Sequence, residues 1–230
     1  MAKRLLIVLT LFLLASMFWQ AISHYTEKTA LSPLATRYVT QGPDELGAQN
    51  LVTAVVVTYR GLDTLGEVTV LFLSAAAVGL LLTLGGREAA EQPPTPASEL
   101  VQTAVQYLFP IVLLFGIYIF ANGHLTPGGG FQGGAVIASA TLLLFLALPL
   151  SRLRHMLLSL TESLSGFGYV VIGVLGLVLA GGFLDNRALP LGEYGHLFSA
   201  GAIPVIYVFI GLKVGTELSA VLEHFKGDSQ

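Results

Sequence analysis

The chain contains no cysteine. Disulfides, thiolate metal sites and protein-ligated iron–sulfur clusters are therefore excluded within it. Charge is nearly as scarce: Asp, Glu, Lys and Arg make up 11% of the 230 residues, against about 25% in an ordinary soluble domain. The net charge is −3 and the basic residues form no stripe, which argues against nucleic acid as a partner. The five histidines, His24, His124, His155, His196 and His224, include no i, i+4 pair, so no haem or zinc site is expected. No nucleophile stands beside a base, and Gly128–Gly134 lacks the lysine and hydroxyl of a phosphate-binding loop. The sequence thus assigns no catalytic residue, no metal and no cofactor, and catalysis by this chain alone is not expected.

What is abundant is apolar sequence, at 54% of residues. Runs near 20 residues recur, and a helix of about 20 residues, rising about 1.5 Å each, crosses a hydrocarbon core of about 30 Å. The runs are too long for barrel strands, which alternate over about 10 residues. The sequence predicts an all-α polytopic membrane protein with about six transmembrane helices plus a short interfacial helix. Lys3 and Arg4 precede the first run, Leu5–Ile22. It has a small-x-small pair at Ala21 and Ser23, as signal peptides do, but its length favours a span. His24–Asn50 is polar, with a Gly42-Pro43 turn signal, and Leu46–Arg60 is the short helix. Further spans are expected at Val68–Leu84, Leu100–Ala121, Ala135–Leu150, Ser165–Leu184 and Leu197–Leu222. Gly85–Ser98, with Pro93, Pro94 and Pro96, has linker composition. It divides the chain into a two-span module (1–90), a linker (91–99) and a four-span module (100–230). Placing both termini in the cytoplasm puts Lys3, Arg4, Arg87, Arg152, Arg154, Lys213 and Lys226 inside. Lys28, Arg37, Arg60 and Arg187 then lie outside. That excess favours a multi-pass protein of the cytoplasmic membrane with N and C termini inside.

Between two apolar runs lies Asn122–Gly134, NGHLTPGGGFQGG, with glycine at 123, 128, 129, 130, 133 and 134. Such a run brings backbone close to a helix, a side chain or an ion. His124 at its edge is either an interfacial histidine bonded to a carbonyl or a proton relay. Phe131 is either a core residue or a bulky plug among glycines. Asp63 and Glu67, four apart with Arg60 nearby, share a helix face. As carboxylates near membrane depth they are candidates for an ion or proton pathway; alternatively Thr64-x-x-Glu67 is a capping box. Lys213 and Glu217 are also four apart. Lys213 would lie about 24 Å into a helix begun at Leu197, either snorkelling to the interface or buried and poised for proton transfer.

These residues carry a family resemblance. GHLTPGGGFQGG within Asn122–Gly134 and IGLKVGTEL at Ile210–Leu218 resemble the B-type subunits, the MnhB family, of Mrp-type multisubunit Na⁺/H⁺ antiporters. NLVTAVVVTYRGLDTLGEVTVL, Asn50–Leu71, resembles the C-terminal part of the large A-type subunits of the same antiporters. A similar piece is a separate small subunit in Mrp-related membrane-bound hydrogenases and sulfur reductases. The resemblance implies a non-catalytic membrane subunit working with large antiporter-like and small subunits, moving Na⁺ and H⁺. It implies a pathway role for Asp63 and Glu67, and matches Phe131 to the bulky residue of the MnhB signature. Here the two modules are fused, which departs from the commonest bacterial arrangement. A membrane arm of a respiratory complex and a structural scaffold are the alternatives.

Overall fold

The structure, a computed structural model, describes residues 2–26, 29–84 and 97–226. The expected linker at 91–99 falls outside the described residues up to 96. Two units are distinguished, residues 1–37 and 38–230. Among the described residues there is no strand, and six helices are long and apolar enough to cross a membrane.

The first unit holds α1 (Ala2–Ser23) and the opening turn of α2 (Pro33–Leu46). Leu5, Phe12, Phe18 and Trp19 of α1 are all exposed. A helix that is apolar around its whole circumference suits lipid rather than water.

In the second unit, α3 (Leu51–Ala54) runs without a break into a π-helical turn, Val55–Tyr59. Then come α4 (Gly61–Leu84), α5 (Glu99–Ala121), α6 (Gly130–Ala147), α7 (His155–Leu179), a 3₁₀ turn at Asn186–Ala188 and α8 (Ile203–Lys226). Helix α8 packs against α4, α5, α6 and α7, and α5 packs against α6. Glycine makes the closest of these contacts possible. A Cβ on Gly130 would lie 2.5 Å from Cβ of Ile210, and one on Gly134 2.7 Å from Cβ of Val214. Small residues of this kind let helix backbones approach where lipid offers no hydrophobic drive to association.

Several boundaries differ from the sequence reading. Residues 24–50 are not all loop: α2 forms through Pro43, inside the expected turn. Pro43 lies late in that helix, and Gly42 is buried against Leu51 and Tyr59. The second span starts at Gly61, not Val68, so Asp63 and Glu67 lie within it. Helix α6 starts at Gly130, not Ala135, so Gly130, Phe131, Gly133 and Gly134 lie in its first two turns. Helix α8 starts at Ile203 because Gly201 (φ +59°) and Ala200 (φ +63°) hold the preceding backbone in the left-handed region, which an α-helix cannot use.

Candidate functional site

Two polar groups of side chains lie inside the second unit. The first lies where α3, α4 and the loops preceding α6 and α8 meet. The backbone amide of Asn50 donates to the carbonyl of His124 at 3.0 Å. The Asn50 side chain donates to Gly123 O at 2.9 Å and Thr126 O at 3.0 Å, while its own oxygen accepts from Thr53 N at 3.3 Å and so caps α3. The Thr53 hydroxyl donates to Gly123 O at 2.7 Å and accepts from Tyr207 Oη at 3.0 Å. Tyr169, buried in α7, donates to Gly61 O at 3.4 Å and lies within electrostatic reach of Glu67. Asn186 is fully buried and ties Leu46 O (2.9 Å) to Ala200 O (3.0 Å).

His124 sits in this region with no exposed surface, and neither ring nitrogen makes a hydrogen bond of good geometry. Burial pushes its pKa below the usual 6.5; the nearby backbone of His196 and Leu197 opposes that in part. Phe131, half-buried, packs against the core. Gly128 and Gly129 belong to the loop before α6. A Cβ on Gly128 would lie 2.9 Å from Ile119 O, and one on Gly129 3.2 Å from Tyr207 Oη.

Asp63 and Glu67 are both exposed. Asp63 pairs with Arg60, Nε to Oδ2 at 2.6 Å. Glu67 lies six residues into α4, about 9 Å from its start, and makes no ion pair or hydrogen bond among the described residues. The capping-box alternative does not form: the Thr64 hydroxyl donates to Val56 O at 2.6 Å instead. Asp63, Glu67, Val70 and Ser74 share one stripe at i, i+4, i+7 and i+11, and all are exposed. Thr64 and Val68 of the same helix are buried on its inner face.

The second group lies between α4, α7 and α8. Lys213 is only 9% exposed, and its Nζ is 2.6 Å from Glu217 Oε1, 3.7 Å from Glu162 Oε1 and 4.7 Å from the centre of the Phe72 ring. Because α8 starts at Ile203, Lys213 lies ten residues in, near the middle of a 24-residue helix. That is about 15 Å from the helix start, too deep for the snorkelling alternative. Next to the pair is a cleft of about 420 Å³ lined by Phe72 and Gly79 of α4, Glu162 of α7, and Glu217 and His224 of α8.

The structure thus gathers Lys213 with Glu217, and places His124 beside the loops that anchor α3. It leaves Asp63 and Glu67 on an exposed stripe and Phe131 half-buried against the core. Sequence reasoning missed Tyr169, Tyr207, Thr53, Asn186 and Glu162. A hydroxyl or carboxylate within an apolar run was the available signal, but only the fold shows which of them meet.

Residues 100–220 match the family described as "Domain related to MnhB subunit of Na+/H+ antiporter". Residues 3–97 match the MbhE family, the E-type subunits of MBH. An uncharacterised protein of Methanocaldococcus jannaschii is 31% identical over 196 residues, 74% of each chain. A Na⁺/H⁺ antiporter subunit of Bacillus subtilis, of the B type, is 39% identical over 81 residues, 35% of this chain and 51% of that one. This chain therefore spans about half the length of that relative. Among solved structures, a chain of the membrane-bound sulfane sulfur reductase, an archaeal respiratory membrane complex, is 42% identical with a TM-score of 0.82. The match covers 98% of both chains.

Proposed function

We propose that this chain, which belongs to the MnhB-related family of antiporter subunits, is a non-catalytic membrane subunit of an Mrp-type Na⁺/H⁺ antiporter and helps form its cation pathway. Large antiporter-like and small membrane subunits are its partners, Na⁺ and H⁺ its ions, and both termini face the cytoplasm. One observation carries this reading. Glu67 is a carboxylate about 9 Å into a spanning helix, exposed and unpartnered among the described residues. A charge facing lipid at such depth costs several kcal/mol. The stripe from Asp63 to Ser74 therefore faces another subunit or a hydrated route between subunits. The test is Na⁺-dependent proton exchange in vesicles with Glu67→Gln. The expected result is a loss of tenfold or more with the complex still assembled. Normal exchange would take Glu67 out of the pathway and favour a scaffold.

A second reading has its own support. The likeness to the sulfane sulfur reductase chain runs end to end, fused modules included. On that reading this chain is part of the membrane arm of a respiratory complex, and redox chemistry elsewhere drives the same ion movement. The subunits that co-purify with it decide: a redox partner selects the respiratory complex, its absence the antiporter.

A further inference from the structure

The cleft between α4, α7 and α8 lies apart from the Glu67 stripe. Its inner wall is an ion pair, Lys213 Nζ to Glu217 Oε1 at 2.6 Å. A second carboxylate, Glu162, stands 3.7 Å from the same ammonium. Two carboxylates thus share one covalently held cation. Glu217 is almost fully buried and accepts no hydrogen bond of normal geometry apart from that ion pair. The pair sits at mid-depth of α8, and along the same helix face His224 lies seven residues beyond Glu217, toward the end of the helix. His224 is exposed. Its Nδ1 is 2.7 Å from the carbonyl of Ala220. A carbonyl only accepts, so Nδ1 carries the hydrogen and Nε2 is the basic nitrogen of the neutral ring. The Nε2 edge lies against α4, where a Cβ on Gly79 would be 3.7 Å away. Between these groups the cleft of about 420 Å³ has room for several waters.

We propose that this cleft is a proton-transfer site with His224 at its mouth, Glu162 and Glu217 as alternating acceptors, and Lys213 as the cation that swings between them. The proposal rests on the ion-transporting role argued above and names the ion handled at this second place. The resident ammonium argues for H⁺ over Na⁺. An alkali cation could reach the buried Glu217 only by displacing a charge tethered to α8, whereas carboxylate, amine and imidazole all exchange protons. A proton taken up at His224 Nε2 passes through water to Glu217 and forms its O–H bond. The neutral acid releases the ammonium, which pairs with Glu162. Glu217 then passes the proton through the cleft water to Glu162, the ammonium returns to the ionised Glu217, and Glu162 releases the proton to water. Only N–H and O–H bonds form and break, and each carboxylate is neutralised in turn. In the orientation proposed above, the mouth opens on the cytoplasmic side.

The test uses the whole complex in proteoliposomes, with a Na⁺ pulse and a pH-sensitive dye, and assembly checked by native gel. The double variant Lys213→Met/Glu217→Met keeps volume and removes both charges together. The expected result is at least a tenfold loss of maximal proton flux with the Na⁺ concentration for half-maximal rate unchanged within twofold. Wild-type flux in the assembled double variant would overturn the proposal. So would a raised half-maximal Na⁺ concentration with flux retained, because the site would then bind Na⁺. If the double variant fails to assemble, Glu162→Gln and His224→Ala decide, since both leave the buried pair intact. Each should slow flux at least threefold, and wild-type flux in both overturns the proposal. A wild-type complex that moves no ions overturns the transport reading and this proposal with it. Loss confined to Glu67→Gln leaves the transport reading standing and overturns this proposal alone.

Discussion

The backbone amide of Asn50 donates to the carbonyl of His124 across 74 positions of sequence, at 3.0 Å. This bond and two made by the Asn50 side-chain amide dock the start of α3 onto the loop between α5 and α6, while the side-chain oxygen caps α3. Replacing the side chain alone removes the cap and two bonds; Thr126 O loses its side-chain donor, while Gly123 O keeps the Thr53 hydroxyl. Asn50→Ala should therefore destabilise the chain by about 2–4 kcal/mol, summing a cap and two lost bonds. The midpoint of unfolding in detergent reads it. A change below about 0.5 kcal/mol would mean that water replaces the side chain without loss.

The glycines of α6 make a sharper claim, because only some of them touch α8. A Cβ on Gly134 would stand 2.7 Å from Val214 Cβ and 2.9 Å from Gly211 O, backbone that cannot swing aside. Gly134→Ala should cost about 1–3 kcal/mol through overpacking. Gly66 of α4 has nothing within 4 Å of its Cβ position. Gly66→Ala should leave the isolated chain unchanged or stabilise it by up to about 1 kcal/mol through helix propensity. Equal destabilisation by both substitutions, in the same unfolding assay, would contradict the packing described.

His124 gives stability a pH dependence of known sign. Burial lowers its folded pKa below 6.5, the value of the unfolded chain. As pH falls below 6.5, the unfolded chain takes up the proton first, so folding loses stability with a slope of at most about 1.4 kcal/mol per pH unit. Above about 6.5 both states are neutral at this residue and the slope vanishes. His124→Gln should remove this part of the slope. Unfolding midpoints of wild type and variant, compared between about pH 5 and 8, check it; parallel curves would contradict the assignment.

Much of the fold was legible because membrane spans announce themselves by length and apolarity. Leu100–Ala121 falls within one residue of α5 (Glu99–Ala121). Errors arose where small residues serve packing. The glycines at 130–134 read as lying between two spans, yet they begin α6, because in lipid a glycine-rich helix is stabilised by the neighbour it lets in. Lys213 reads as lying toward the far end of its span because hydropathy cannot see the left-handed backbone at Ala200 and Gly201 that delays α8 to Ile203 and puts Lys213 near its middle. Helix α2 was hidden by Gly42 and Pro43 and by its polar sequence. Of the candidate site, the i, i+4 spacing of Lys213 and Glu217 was visible, while Glu162 joins them only through the packing of α7 on α8.

The central claim is that the stripe of α4 carrying Asp63 and Glu67 faces another subunit. The most direct measurement places a photoactivatable benzophenone side chain at Val70. This residue is 62% exposed and lies on the same stripe as Glu67. Irradiating the assembled complex in its membrane should join this chain to a second subunit, identified by mass spectrometry of the adduct. Adducts to lipid alone, as expected from the same probe at an outward residue of α1 such as Phe12, would contradict the account.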